Sequence, residues 1–259
     1  MRVSEASFVP VQVNFVWIGP RLGPVHVACL RSFQRHGHDV VLHAFDAPED
    51  APDGVEIFDA SKLMRRDEVI AHRKTRSLSL ASDIYRYRML REGMGVYVDC
   101  DVYCLRPFPD QEYLFGWESD SAIANGVLGA PHNSELVNRL NSAANGRSFI
   151  PPWRSKGTQR WLRIRNALGL PLSPADMPWG TLGPSLLTHL VKELGLIDRA
   201  MPIDAFYPAH FGQTPLLLDP GLKLEDLTTS RSYGLHLANA VRKTDEAPKG
   251  SPLHQILES

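Results

Sequence analysis

The chain has 259 residues, of which 43% are hydrophobic and 22% charged, and its 28 Lys and Arg residues nearly balance its 29 Asp and Glu residues. This composition is typical of a globular protein and excludes a disordered, collagen-like or coiled-coil chain. The net charge of −1 also argues against a general nucleic-acid-binding protein, which would carry an excess of basic residues. We therefore expect no nucleic-acid partner.

The cysteines and the apolar runs indicate the compartment. Cys29, Cys100 and Cys104 form neither a CxxC pair nor a zinc-binding spacing, so we expect them to pack as small apolar residues in a reducing compartment. No uninterrupted apolar run reaches the roughly 18 residues that cross a bilayer. The sequence predicts a cytoplasmic protein, attached at most peripherally to the inner face of a membrane.

Strands and helices alternate over the first hundred residues. The patterns predict strands at 11–18, 39–45, 54–58 and 95–98 and helices at 25–35 and 61–93. This alternation predicts an α/β fold with a mostly parallel central sheet and flanking helices. In such sheets, ligands bind at the carboxyl ends of the strands.

The second half of the chain is less regular. It predicts helices at 134–144, 156–168 and 184–194, and strands near 201–206 and at 233–237 that would complete the sheet. The residues after Arg242 are expected to be loosely held as far as Leu253. The sequence contains no internal repeat, and we predict a single domain over residues 1–259.

An acidic pair, Asp99 and Asp101, directly follows the strand at 95–98. Two residues apart on an extended backbone, the side chains project to the same side. Two carboxylates with an open approach suit a hard divalent cation, which could neutralise a diphosphate leaving group. An Asp-x-Asp pair is also common in solvated turns, so the pair alone leaves both interpretations open.

The helix before this strand carries a second pair, Asp83 and Arg86, which are neighbours at i, i+3. A surface ion pair of little energetic value is the interpretation that the spacing favours. The alternative places the carboxylate on sugar hydroxyls and the guanidinium near a phosphate or the glycosyl oxygen. The helical spacing predicts a core-facing stripe of Leu78, Ala81, Tyr85 and Met89.

These residues form a longer pattern, Ser82-Asp83-x-x-Arg86-x-x-x-Leu90-x-x-x-Met94-Gly95-x-Tyr97-x-Asp99-x-Asp101. The pattern resembles the core signature of sugar-nucleotide glycosyltransferases with a DXD motif. It is most similar to glycosyltransferase family 32, which includes the yeast initiating mannosyltransferase and capsular polysaccharide enzymes, with the clostridial glucosylating toxins as distant relatives. One mild departure is Met94-Gly95, where the family has Gly-Gly.

Four other segments resemble the same family: its first strand, the loop after the acidic motif, a Gly-Pro helix start and a late strand with a histidine. They are Phe15–Gly19, Asn125–Ala130, Gly183-Pro184 and Tyr233–His236. The family often has a Trp a few residues beyond this histidine, and residues 239–242 contain none. The chain therefore departs from the family at the position that would contact the donor phosphates.

The resemblance implies a GT-A fold with a donor-binding half at about 11–130, an acceptor half at about 131–242 and a tail at 243–259. It also implies a UDP- or GDP-sugar donor, Mn²⁺ or Mg²⁺, and retention of the donor's α configuration. Asp99 and Asp101 would serve the metal and the donor, and His236 would be a metal or diphosphate ligand unless it is a packed core residue. The remaining donor-binding residues would be Trp17, which stacks on the base, with Ile18, Ser82, Asp83, Arg86, Tyr97 and Asn125.

The predicted function is metal-dependent, retaining transfer of a hexose to a glycan or glycolipid acceptor in surface polysaccharide or oligosaccharide synthesis. Asp83, Arg86, Asp99 and Asp101 are the predicted catalytic residues. Three alternatives stay open: a protein-modifying glucosyltransferase, a non-catalytic sugar-nucleotide-binding module of the same fold, and a nucleotidyltransferase. The last would need a glycine-rich phosphate loop, which residues 19–24 imitate poorly.

The charges are unevenly distributed. Between Glu135 and Asp176 there is no acidic residue, but there are seven basic ones: Arg139, Arg147, Arg154, Lys156, Arg160, Arg163 and Arg165. Trp153 and Trp161 lie among them. The segment 139–165 is either a solvated face or a contact with an anionic acceptor or an anionic membrane surface.

Overall fold

The computed structural model describes residues 11–146, 148–209, 211–238 and 247–259. Within these ranges the strands are β1 (Val13–Trp17), β2 (Val40–Ala44), β3 (Glu56–Asp59), β4 (Val96–Val98), β5 (Val102–Cys104), β6 (Val127–Leu128) and β7 (Gly234–His236). The α-helices are α1 (Pro24–Arg35), α2 (Ser79–Arg91), α3 (Glu135–Asn145), α4 (Lys156–Ala167), α5 (Pro184–Glu193) and α6 (Pro252–Leu257).

The central sheet has the strand order β3-β2-β1-β4-β6. The first four strands are parallel, and β6 pairs with β4 in the antiparallel direction. Helix α1 connects β1 to β2, and α2 lies between β3 and β4, as is usual for parallel crossovers, whereas turns connect β2 to β3. The predicted α/β architecture, with a mostly parallel central sheet and flanking helices, is therefore confirmed.

Both faces of the sheet are covered by helices, and successive side chains of β1 point to opposite faces, so β1 contributes to the core on each side. Val13 and Phe15 pack against Leu30 and Phe33 of α1, whereas Val16 belongs to the core on the other face, with α2, α3 and α5. This double burial explains why β1 is a continuous apolar run rather than an alternating one.

A buried polar chain fixes α2 to the sheet. His43 of β2 contacts Asn14 Oδ1 of β1 at 3.0 Å through Nε2, and the Tyr85 hydroxyl of α2 at 2.8 Å through Nδ1. Since Asn14 Oδ1 accepts, Nε2 carries the proton and Nδ1 accepts from Tyr85. Burial lowers the pKa of His43 to about 4, so the ring is neutral at pH 7. Satisfied buried polar groups of this kind specify one packing arrangement.

The start of α2, the burial of Leu78 and the structure of residues 201–206 differ from the sequence predictions. Helix α2 begins only at Ser79, because residues 69–78 form turns and shorter 3₁₀ segments cover Ala60–Lys62 and Arg66–Glu68. Leu78 therefore precedes the helix and is 39% exposed instead of facing the core. Residues 201–206 form no strand; Met201 makes an isolated bridge to Gly116, and a 3₁₀ turn follows at Ile203–Ala205.

The predicted strand at 233–237 exists as β7 but lies outside the central sheet. It pairs with β5 in a separate two-stranded antiparallel sheet, in which Val102 faces His236. This antiparallel pairing places His236 close to the acidic motif.

The remaining predictions concern the cysteines, the termini and the membrane. All three cysteines are buried and unbonded, as predicted. Residues 239–246, where the departure from the family pattern falls, lie outside the described residues. No helix in the described part of the chain combines the length and the apolar character needed to cross a bilayer. The division into a donor half, an acceptor half and a tail stays a prediction.

Candidate active site

A cavity of about 490 Å³ opens at the carboxyl end of β4. Six of the predicted site residues line it: Asp83, Arg86, Asp99, Asp101, Asn125 and His236. They come from α2, the turn between β4 and β5, the loop before β6, and β7. The fold thus brings together residues separated by more than 150 positions in the sequence, at the edge of the sheet where ligands bind in this class.

Arg86 is the centre of this arrangement. Its guanidinium is 3% exposed and lies 3.1 Å from Asp99 Oδ1 and 3.4 Å from Asp83 Oδ1. It also donates to the Ser82 carbonyl, the Ser82 hydroxyl and the Asn125 carbonyl. The pair Asp83–Arg86 is therefore a buried ion pair, and the surface ion pair that the spacing favoured is wrong.

The aromatic ring of Tyr97 packs against this guanidinium. Its ring centroid lies 4.1 Å from Arg86 Cζ, in cation–π geometry. The Tyr97 hydroxyl donates to Asp99 Oδ1 at 2.7 Å, so the Ser82 hydroxyl, at 2.8 Å, donates to the Tyr97 oxygen. Ser82 and Tyr97 do not reach the cavity wall as the structure describes it; they hold Arg86 and Asp99 in place.

Asp83 is held on two sides. Asn125 Nδ2 donates to Asp83 Oδ1 at 2.7 Å, and Arg86 approaches the same oxygen. On the other side, a Cβ on Gly183 would lie 2.7 Å from Asp83 Oδ2, closer than real Cβ contacts permit. Glycine at position 183 therefore lets the start of α5 approach this carboxylate. Burial raises the pKa of Asp83 to about 6, with Arg86 and Asn125 opposing the rise.

The second cluster consists of Asp99, Asp101 and His236. His236 Nε2 lies 3.4 Å from Asp101 Oδ1 and 3.7 Å from Asp99 Oδ2. The β5–β7 pairing produces this proximity, since the Leu237 amide donates to the Asp101 carbonyl at 2.8 Å. Gly126 closes the cluster from behind, because a Cβ there would lie 2.8 Å from Asp99 Oδ2.

The charges of this cluster depend on one another. Burial alone would lower the pKa of His236, but Asp101 and Asp99 raise it to about 9. Burial by itself favours a neutral Asp99, yet Arg86 and His236 lower its pKa. Burial raises the pKa of Asp101, and His236 only partly opposes this. The carboxylates thus hold the imidazole in its protonated form until another cation replaces that proton.

The donor set of this cluster fits a divalent cation. One ligand atom from each of Asp99, Asp101 and His236 lies within 4.8 Å of the others, and all three side chains face the cavity. Carboxylates suit both Mg²⁺ and Mn²⁺, and the imidazole adds a nitrogen ligand that a transition-metal ion accepts more readily than Mg²⁺. The residues present therefore fit a divalent cation.

Like Ser82 and Tyr97, two further predicted donor-binding residues lie outside the cavity wall. Trp17 ends β1, its Nε1 donates to the Arg21 carbonyl at 2.9 Å, and its ring packs on His26 with centroids 4.6 Å apart. Ile18, half-buried, follows it in the chain. Because His26 lines the cavity, Trp17 stands one residue behind the wall, and its predicted stacking on a base stays a prediction.

Several cavity residues escaped sequence reasoning. They are His26, Ser79, Glu118, Trp179 and Tyr207. Tyr207 stacks on His236 with ring centroids 5.0 Å apart. Glu118 interacts electrostatically with His236, and burial raises its pKa. None of these residues belongs to a spacing pattern, so only the packing of distant loops reveals them. Trp179 lies four residues before Gly183, which the sequence pattern did single out.

The basic segment divides into two parts. Arg139 forms a bidentate ion pair with Glu193, both distances 2.9 Å, and Trp153 is half-buried against Phe149 and His189. Helix α4, by contrast, buries Leu162 alone. Its exposed side chains are both apolar and basic: Lys156, Arg160, Trp161, Arg163, Ile164 and, just beyond its end, Leu168. Arg165, half-buried, lies over the Trp161 ring.

Comparison with known proteins gives distant likenesses. No protein-family model matches the chain. It is 22% identical over 230 residues to Subversion of eukaryotic traffic protein A of Legionella pneumophila, across 80% of this chain and 35% of that protein, so it spans about a third of that relative's length. A solved structure described as PaToxG glycosyltransferase is similar with a TM-score of 0.44 and 16% identity, over 73% of this chain and 72% of the other. We base the functional proposal on this chain's own site.

The buried position of Arg86 predicts a large stability effect. Arg86→Met leaves Asp83 and Asp99 buried without their cation, and we expect the free energy of unfolding to fall by roughly 3–5 kcal/mol. Urea unfolding followed by circular dichroism measures this. Arg91→Met, at the exposed end of the same helix, is the matched control and should change stability by less than about 0.5 kcal/mol. Equal losses in the two variants would contradict a buried ion network.

Proposed function

We propose that this protein is a glycosyltransferase that moves a hexose from a UDP- or GDP-sugar, with a divalent cation and with retention of the anomeric configuration. One observation carries the proposal: a single cavity joins an Asp99–Asp101–His236 cluster suited to a cation with a buried Asp83–Asn125 pair suited to hydroxyl groups, and Arg86 links the two. The sequence pattern over residues 82–101 supports the same activity.

Each end of the cavity supplies a different part of the chemistry. Asp99, Asp101 and His236 would hold Mn²⁺ or Mg²⁺, and the bound cation would neutralise charge on the departing diphosphate. Asp83 would accept hydrogen bonds from hydroxyls of the transferred sugar, a role that needs its ionised form. The N–H groups of Arg86 bond to protein groups. Arg86 would therefore position Asp83 and Asp99, in addition to its predicted contact with the nucleotide sugar.

Such an arrangement stabilises charge that develops in the transition state. As the glycosidic bond to the diphosphate breaks, the anomeric carbon becomes oxocarbenium-like and the leaving oxygen gains negative charge. The acceptor hydroxyl would attack from the same face and pass its proton to the departing phosphate. Glu118 also lines the cavity and interacts electrostatically with His236, so it belongs to the same end of the cavity as the Asp99–Asp101–His236 cluster.

Metal-dependent hydrolysis of the donor tests the activity without a known acceptor. With Mn²⁺ present, the wild-type protein should release free nucleotide from one member of a panel of UDP- and GDP-sugars. Asp101→Asn should lower the rate by roughly 10²-fold or more while leaving the circular dichroism spectrum unchanged, because the cation loses a charged ligand. Asp110→Asn, an exposed aspartate outside the cavity, is the control. A wild-type protein that binds nucleotide sugars without turnover is a binding module, and the enzymatic proposal fails.

The stereochemistry of the product tests the retaining mechanism. We expect an α-linked product from an α-linked donor, since attack and departure share one face of the sugar. Proton NMR of the first product formed distinguishes the anomers directly. A β-linkage would rule out retention, while the metal-dependent activity could still stand.

The acceptor is the least constrained part of the proposal. We propose a glycan or glycolipid acceptor, as in surface polysaccharide or oligosaccharide synthesis. A second candidate is transfer to a protein side chain, and one observation favours it: the Legionella relative bears a name that refers to subversion of eukaryotic traffic. Incubation with a labelled donor and either a eukaryotic lysate or lipid-linked glycans separates the candidates by where the label appears.

We further propose that α4 attaches the protein to an anionic membrane surface. Within the described residues of segment 139–165, Arg139 is paired, whereas α4 displays arginines beside Trp161, which Arg165 covers at 5.1 Å from its ring centroid. Trp161, Ile164 and Leu168 are all exposed, Leu168 to 69%, and together form an apolar strip beside these arginines. Arginine and tryptophan together suit the interface between headgroups and acyl chains.

Vesicle sedimentation tests the attachment. Binding to vesicles containing phosphatidylglycerol should exceed binding to phosphatidylcholine vesicles and should fall with salt. Arg160→Glu with Arg163→Glu should lower the partition coefficient by roughly fivefold or more for each side chain, since each basic group near the surface contributes about 1 kcal/mol. Arg91→Glu with Arg199→Glu, both exposed elsewhere, is the charge-matched control. Equal losses in both double variants would leave only a net-charge effect and refute a surface on α4.

A further inference from the structure

Trp179 is an exposed aromatic side chain at the rim of the cavity. It is 58% exposed, yet it lines the cavity together with Ser79, Asp83 and Pro184. It also borders a smaller pocket shared with Ser79 and Asp83. Tryptophan is highly buried on average, and Trp179 instead leaves apolar ring surface exposed directly beside the buried carboxylate of Asp83.

The ring is held in place. Trp179 Nε1 donates to the Ser79 hydroxyl at 3.1 Å, and Ser79 lies one helical turn before Asp83 on α2. This bond fixes the indole edge and leaves the faces of the ring to other contacts. A surface tryptophan without such a bond would sample several rotamers and lose entropy on binding a ligand.

The loop that carries Trp179 is also fixed. His72 Nε2 contacts the Met177 carbonyl at 2.9 Å, and the Tyr87 hydroxyl donates to the Leu182 carbonyl at 2.7 Å. Gly180 turns the chain with a φ of +75°, which an L side chain rarely adopts. Bonds before and after Trp179 thus position its backbone against α2.

Gly183 brings this loop against Asp83. As described above, a Cβ at Gly183 would lie 2.7 Å from Asp83 Oδ2, so the start of α5 is in contact with that carboxylate. The cavity therefore presents, side by side, a buried hydrogen-bonding carboxylate and a fixed, exposed aromatic ring. A few polar groups beside aromatic surface is the usual composition of a small-molecule site.

We propose that Trp179 is a platform on which a pyranose ring stacks while its hydroxyls bind at Asp83. The proposal rests on the proposed glycosyltransferase function and deepens it. A pyranose has one face of C–H groups and a rim of hydroxyls, so an aromatic face and a carboxylate at its edge complement it in two directions. The ring can come from the transferred sugar or from the acceptor, and the chemistry is the same in both.

The test compares Trp179→Ala and Trp179→Phe with Ile197→Ala, which removes an exposed apolar side chain outside the cavity. Calorimetry with Mn²⁺ measures the affinity for UDP-glucose, GDP-mannose, UDP and GDP. If the platform binds the transferred sugar, Trp179→Ala lowers the affinity for the nucleotide sugar by roughly five- to tenfold and leaves the affinity for the nucleoside diphosphate unchanged. Trp179→Phe, which keeps an aromatic face, should recover most of the affinity.

A second measurement covers the acceptor. With methyl hexopyranosides supplied as acceptors, a platform for the acceptor predicts unchanged donor affinity but a roughly five- to tenfold rise in acceptor KM for Trp179→Ala and a fall in the ratio of transfer to hydrolysis. The proposal is overturned if Trp179→Ala matches Ile197→Ala in both measurements. A wild-type protein that binds neither nucleotide sugars nor hexopyranosides overturns the glycosyltransferase proposal as well, so the two failures are distinguishable.

Discussion

The site depends on one buried charged side chain, the guanidinium of Arg86. Arg86 contacts Asp83 and Asp99 within 3.4 Å and donates to the carbonyl of Asn125, so one guanidinium joins α2, the end of β4 and the loop before β6. Two carboxylates so close together in a buried place could not both stay ionised alone. Burial alone would lower the pKa of Arg86, but Asp99 and the neighbouring acidic groups raise it, so the guanidinium remains charged.

This network also explains why the cavity has two chemically distinct ends. Arg86 compensates the charge of Asp83 and of one oxygen of Asp99, which leaves Asp101 and the other Asp99 oxygen to His236. The first end is a hydrogen-bonding surface with a fixed charge balance. The second holds an imidazole whose proton a divalent cation can replace, because a histidine ligand must be neutral. A donor that carries both hydroxyls and a diphosphate matches this division.

Close approach of backbone segments is the second constraint on the site. Gly126 and Gly183 lie where a Cβ would stand 2.8 Å from Asp99 Oδ2 and 2.7 Å from Asp83 Oδ2. The two glycines therefore bring the loop before β6 and the start of α5 into contact with the two carboxylates. Gly183 also places the loop carrying Trp179 against α2, so one missing side chain shapes both the buried and the exposed part of the cavity.

Much of this protein was determined locally by its sequence. The apolar run of β1, the alternation of strands and helices, and the position of Asp99 and Asp101 after a strand predicted the α/β fold and the acidic end of the cavity, because periodicity and strand ends are properties of neighbouring residues. Tertiary structure alone decided the rest. Asp83 and Arg86 form a buried ion pair at the centre of the site, where the helical spacing favoured a surface pair. The pairing of β5 with β7 places His236 beside Asp101, and the packing of loops brings Glu118 and Trp179 to the cavity wall. These outcomes depend on contacts between residues far apart in the chain, which no local pattern encodes.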